Sequence, residues 1–163
     1  MSLPPGPQAH QTPSWKDSVL AVQPLVARAC AIVSDQRGRI LLCRNGSSDQ
    51  WELPSSVVCV GGSVEESVLR GVRKVTALEV RVRYLVGVYS SLCDASQEQA
   101  SEAQQELLVC AACRIVCGRL PSGTDPDESR VAFLQPVVTL PLRPWARQCV
   151  LDYRSHRLRA VLR

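Results

Sequence analysis

The stretch from Gly61 to Leu78 constrains this chain more than any other. Gly61-Gly62 closes a loop, and Ser63 stands three residues before Glu66. That is the spacing of a capping box, in which two side chains reciprocally satisfy free backbone N–H groups at a helix start. Val64, Val68, Val72 and Val75 then recur at intervals of four, four and three, which puts them on one helical face. The pattern predicts an amphipathic helix that ends near Ala77.

Strand signals flank it. Leu25 to Val33 is a run of small apolar residues, Ser34-Asp35-Gln36-Arg37-Gly38 reads as a turn, and Arg39 to Arg44 forms a second strand with Ile40, Leu41, Leu42 and Cys43 as buried bulk. Asn45-Gly46-Ser47-Ser48 is again turn chemistry. Trp51-Glu52-Leu53-Pro54 is a short extended piece stopped by its proline, and residues 55–62 read as a loop. After the helix come a Val-rich strand from Glu79 to Tyr89, a polar excursion from Ser90 to Gln105, and a strand from Leu107 to Val116. Turn residues then occupy Gly118 to Ser129, before a last strand from Val131 to Val138. Leu142 to Arg163 is read as a C-terminal helix, with Trp145, Cys149 and Tyr153 on one stripe and arginines suited to a helix C-terminus. This order predicts an α+β sandwich.

With 163 residues there is room for one domain. Residues 1–23, with Pro4, Pro5, Gly6, Pro7 and Pro13, read as a flexible Pro-rich leader, and residues 24–163 as the domain. Hydrophobic residues at 45% and charged residues at 21% exclude wholesale disorder. Aromatics are only 4%, so the core must be built from Val, Leu, Ala and Cys. No apolar run approaches the roughly 20 residues that span a bilayer, and no membrane partner is expected. The nineteen basic residues, all arginine except Lys16 and Lys74, are scattered without interleaved aromatics, so no strong nucleic-acid signal is present. Arginine suits ion pairs and phosphates alike.

Eight cysteines without a secretory signal argue for a reducing, cytoplasmic setting in which they pack as small hydrophobes. Cys110-x2-Cys113-x3-Cys117 lacks the paired, turn-borne ligands of a structural zinc site. On a strand, Cys110 and Cys113 would face opposite ways.

Several of these features together resemble the Nudix hydrolases: the strand–turn–strand from Ala27 to Arg44, Trp51-x-Leu53-Pro54, the helix Ser63–Leu78 leading into Thr76-Ala77-Leu78-Glu79-Val80, Gly87-Val88-Tyr89, and Asp127-Glu128 before Phe133. The resemblance spans about Val26 to Arg157. It implies an α/β/α sandwich with a mixed sheet, a signature helix and a C-terminal helix. The family signature is G-x5-E-x7-R-E-U-x-E-E-x-G-U, with U a bulky aliphatic. Its glutamates, at positions sharing one helix face, hold divalent cations that neutralise phosphate charge and orient the attacking water.

Laid on this chain, the arginine is Arg70 and the aliphatics are Val72 and Leu78, but Ser56 and Ala77 replace the glycines. The four glutamate positions hold Gly62, Gly71, Lys74 and Val75. Shifting the register to pair Glu65 with Arg73 leaves Lys74, Ala77 and Leu78 at the other three. The box is degenerate, and Lys74 puts a cation where a cation should bind. No catalytic residues, metal ligands or cofactor are therefore expected, and Arg70 is expected to pair with Glu66 four residues earlier.

The favoured reading is a pseudoenzyme: a nucleotide or nucleotide-sugar binding or regulatory module, with Arg44 and Lys74 as candidate phosphate-binding cations. An alternative is an active Nudix hydrolase acting on an ADP-ribose-like nucleoside diphosphate with Mg²⁺ or Mn²⁺, its ligands drawn from outside the box among Glu52, Glu106, Asp127 and Glu128. Another is a scaffold whose strand edge or Arg-rich terminal helix contacts another protein or an acidic surface, with a homodimer or a protein partner as the assembly it would form.

Overall fold

A computed structural model of the chain describes residues 25–44, 49–93, 104–120, 130–135, 140–155 and 159–163. The expected leader, the turn at 45–48, most of the polar excursion, and the acids Asp127 and Glu128 lie outside the described residues. Elements run β1 (Leu25–Val33), β2 (Ile40–Arg44), β3 (Trp51–Glu52), β4 (Ser55–Val57), α1 (Val64–Val75), β5 (Glu79–Cys93), β6 (Gln104–Cys117), β7 (Val131–Leu134), α2 (Pro144–Arg154) and β8 (Val161–Leu162).

A five-stranded mixed sheet has the order β4-β1-β6-β5-β8, and a three-stranded sheet the order β3-β2-β7. In the larger sheet β1 runs parallel to β6 and antiparallel to β4, while β5 runs antiparallel to β6 and parallel to β8. Strand β1 is covered on both faces, as the parallel neighbour predicts. Its Ala29, Ala31 and Val33 join one core cluster with Val68 and Val72 of α1, and its Cys30 and Ile32 join a second with Ala146, Cys149 and Val150 of α2. Alternation along β6 likewise sends Cys110 to the α2 side and Cys113 to the α1 side. This is the expected α/β/α layering. The stripe on α2 also holds: Cys149 is fully buried, and Trp145 and Tyr153 pack against the same cluster.

The capping box is present in full. Ser63 N–H donates to Glu66 Oε2 at 2.8 Å, and Glu66 N–H donates to Ser63 Oγ at 3.0 Å. On the expected apolar face, Val68 and Val72 are buried, whereas Val64 stays exposed at the helix start.

Four expectations are corrected. Residues 55–57, read as loop, form β4 against β1. The helix stops at Val75 rather than Ala77, because Thr76 turns extended and its hydroxyl donates to the Val72 carbonyl at 2.9 Å. Helix α2 stops at Arg154, and the chain returns to add β8 to the sheet, so Arg163 is not part of a helix. It instead pairs with buried Asp152 at 3.1 Å. Finally, Arg70 does not pair with Glu66, whose carboxylate is engaged in the cap. Its guanidinium donates to the Val57 carbonyl of β4 and to Ser67 Oγ.

Helix α1 meets β4 closely. Ser56 Oγ donates to the Ser67 carbonyl at 2.9 Å, and a Cβ on Gly71 would lie 2.9 Å from the Ser55 carbonyl carbon and 3.0 Å from its Cα. Only glycine fits there without moving backbone. Gly71→Ala should therefore destabilise the chain in urea unfolding. The clash costs about 1–3 kcal/mol, more than the roughly 1 kcal/mol alanine returns in helix propensity. Ser63→Ala, which removes one cap bond, should cost about 1 kcal/mol. A Gly71→Ala chain as stable as the parent would contradict the close contact.

Candidate functional site

Beside the C-terminal end of α1 lies a cavity of about 420 Å³ lined by Arg28, Cys43, Arg44, Glu52, Ser55, Lys74, Val75, Arg130 and Val131. Local structure explains its make-up. The β2–β3 pairing sets Cys43 opposite Glu52 and Arg44 opposite Trp51, and the β2–β7 pairing sets Cys43 opposite Val131. The tight α1–β4 contact brings the last turn of the helix, with Lys74 and Val75, to the same opening.

Both phosphate-binding candidates therefore line one cavity. Arg44 does more than end a strand: its guanidinium carbon sits 4.6 Å from the centre of the Trp51 ring, a cation–π contact that fixes its direction. Lys74 is exposed at the helix end, and its charge reaches Cys43 and Glu52. Of the degenerate box positions, Lys74 and Val75 line the cavity, whereas Gly62, Arg70 and Gly71 do not. Gly62 lies at the helix entry and Arg70 and Gly71 hold α1 to β4.

The fallback acids divide. Glu52 lines the cavity and is ion-paired with Arg143, Nε to Oε2 at 3.1 Å. Glu106 reaches it only through Arg28, Nε to Oε1 at 2.8 Å. Asp127 and Glu128 lie outside the described residues. Sequence reasoning did not find Arg28 and Arg130. Their signal was topological, since Arg28 comes from a strand otherwise small and apolar, and Arg130 from the residue just before β7.

The charge balance decides what the cavity suits. Among the described residues the lining carries four cations, Arg28, Arg44, Lys74 and Arg130, and one carboxylate, Glu52, with Arg28 itself paired to Glu106. A hard divalent ion takes several oxygen ligands, with carboxylates the usual protein donors. This lining does not fit the Mg²⁺ or Mn²⁺ of the signature chemistry. Nor can Gly71 accept a carboxylate side chain without displacing Ser55. The arrangement instead suits a multiply charged anion, whose oxygens guanidinium and ammonium groups can hold directly.

Burial pushes the Glu52 carboxyl above its ordinary range, and Arg143, then Arg28 and Lys74, pull it partway back. Burial likewise pushes the Cys43 thiol up to about 12, with Glu52 adding to the rise and Lys74 opposing it. Cys43 is thus a neutral wall of the cavity, not a nucleophile.

Glu52 makes anion binding pH-dependent with a definite sign. As pH rises through its titration, the cavity gains a negative charge and inorganic pyrophosphate should bind less well. Glu52→Gln should tighten pyrophosphate binding several-fold above that range, of order 1 kcal/mol across the cavity at an effective dielectric near 20, and flatten the acid-side pH dependence. Calorimetry across that range checks both. A variant that binds more weakly would contradict the sign.

No family model and no curated protein sequence matches the chain. Solved structures do. A UDP-X diphosphatase superposes with a TM-score of 0.64 at 19% identity, covering 88% of this chain and 69% of that one. A Nudix hydrolase from Nitrosomonas europaea gives 0.63 at 18% identity over 81% and 90%. An ADP-ribose pyrophosphatase from Streptococcus suis gives 0.58 at 20% identity over 85% and 97%. Among the described residues, no helix is long and apolar enough to cross a membrane. The mixed sheet between two helices, the capped signature helix and these superpositions agree on one architecture: the chain has the Nudix fold.

Proposed function

We propose that this protein is a binding module for a nucleoside diphosphate or nucleotide sugar, which it holds through cations where the family signature places metal ligands. One observation supports the reading: among the described residues, Arg28, Arg44, Lys74 and Arg130 line one cavity with one carboxylate, Glu52, which Arg143 already pairs. A diphosphate brings its own negative charge, which the cations of this lining can hold without a metal. The diphosphate-linked nucleotides named for two of the superposed proteins, a UDP-X diphosphatase and an ADP-ribose pyrophosphatase, suggest ADP-ribose and a UDP-sugar as first probes.

The same residues argue against turnover. Hydrolysis in this fold requires hard cations that neutralise charge and orient water. Lys74 repels such an ion, and Glu52 and Glu106 are each engaged by an arginine. In this reading the module is regulatory, sensing its ligand rather than consuming it.

Calorimetry with ADP-ribose under EDTA tests the proposal beside a phosphate-release assay with Mg²⁺ and Mn²⁺. Binding should persist without metal. Lys74→Ala should weaken it roughly 10- to 100-fold, the loss of a charge-assisted contact worth about 1.5–3 kcal/mol. Turnover near ordinary enzyme rates, roughly 1 s⁻¹ or above, would overturn the proposal in favour of the hydrolase, with Glu52, Glu106, Asp127 or Glu128 recruited as ligands. Failure of ADP-ribose, a UDP-sugar and pyrophosphate to bind without metal would leave the scaffold reading.

A further inference from the structure

Between the large sheet and α2, three cysteines distant in sequence meet. Cys30 of β1 and Cys110 of β6 sit opposite each other in the parallel register, and Cys149 comes from α2 above them. All three are fully buried, and their sulfur atoms lie within 4.8 Å of one another. The other described cysteines, Cys43, Cys59, Cys113 and Cys117, belong to no such group. Around the three sulfurs the cluster holds the apolar Ile32, Leu42, Val86 and Leu108 together with Tyr89, whose hydroxyl reaches Cys149 as well as Asp152.

We propose that Cys30, Cys110 and Cys149 form a three-coordinate site for a soft monovalent metal ion, with Cu(I) the ion it fits. The distances suit this chemistry. With metal–sulfur bonds of about 2.3 Å, as zinc makes, three sulfurs around a trigonal ion stand about 4 Å apart, so closing from the observed spacing takes less than about 1 Å. Thiolate ligands select soft ions such as Cu(I) and zinc, and the number of ligands separates the two.

Zinc requires a fourth ligand. Asp152 is a candidate, but its carboxylate is already engaged: Tyr89 Oη donates at 3.2 Å, Gln148 Nε2 at 3.1 Å, and Arg163 through Nε and Nη2 at 3.1 Å each. Tyr89 is committed to that same carboxylate, and its hydroxyl lies where a side chain on Gly87 would have to go. Three sulfurs with no fourth metal-ligating His, Cys, Asp or Glu grouped with them among the described residues suit a three-coordinate ion.

On loading, three Cu–S bonds form, the displaced thiol protons pass to solvent, and copper remains Cu(I), so no oxidant or reductant takes part. A proton retained on one thiol would limit the buried complex to a single net negative charge.

The test uses the full, reduced chain under anaerobic conditions, in a background with Cys59, Cys93 and Cys117 replaced by Ser. Cu(I) is supplied as its bathocuproine disulfonate complex. The chain should withdraw one Cu(I) from the chelator, and X-ray absorption at the copper edge should show three sulfur neighbours, a readout that needs no further variant. Cys149→Ala should lower the affinity by more than the roughly 10–100-fold that loss of an outer-shell partner costs. Cys113→Ala, on the opposite face of β6, should leave it unchanged. Failure to withdraw copper, a two-sulfur copper environment, or preferential uptake of Zn(II) offered alone would each overturn the assignment.

Discussion

Helix α1 can lie where it does because Gly71 has no side chain. The helix backbone rests on Ser55 of β4, and two bonds fasten the same contact: Ser56 Oγ to the Ser67 carbonyl, and the Arg70 guanidinium to the Val57 carbonyl. Shift α1 outward by one side chain and Val68 and Val72 leave the core, while Lys74 and Val75 leave the cavity mouth. The contact also explains why a missing carboxylate at Gly71 is not a simple vacancy to be refilled. In this chain that position serves the packing of the helix, and a glutamate there would displace β4.

Once α1 is seated, the electrostatics of the cleft follow from strand pairing. Register puts Glu52 beside Cys43 and Trp51 beside Arg44. The ring of Trp51 gives Arg44 a surface to lie on, while Arg143 neutralises Glu52 from the residue just before α2. What faces the opening is an excess of positive charge on a rigid frame. Under the proposed function, that excess of positive charge is what a diphosphate seeks.

The elements with strong local codes were legible in the sequence. The Ser63–Glu66 cap, the apolar runs of β1 and β6, and the Trp145–Cys149–Tyr153 stripe each rest on neighbouring residues alone. Strand β4 was not legible, because Ser55-Ser56-Val57 carries no alternation and is a strand only through its partner β1. Nor was β8, whose two residues owe their place to β5 and to the Arg163–Asp152 bond.

Side-chain partners showed the same limit. Helical spacing suggested Glu66 for Arg70, but the cap had already claimed that carboxylate. Lys74 and Arg44 were found because the signature marks one and a strand end the other. Arg28 and Arg130 join them only after two sheets have formed, and the three buried cysteines likewise meet only in the folded chain. The central claim is that cations have taken over the work of metal ligands in this cleft. Anomalous diffraction from crystals soaked with ADP-ribose and Mn²⁺ tests it most directly. The account predicts diphosphate density between Lys74, Arg44, Arg28 and Arg130 with no manganese peak beside it. A manganese peak bonded to carboxylates at the mouth of the cavity would contradict it.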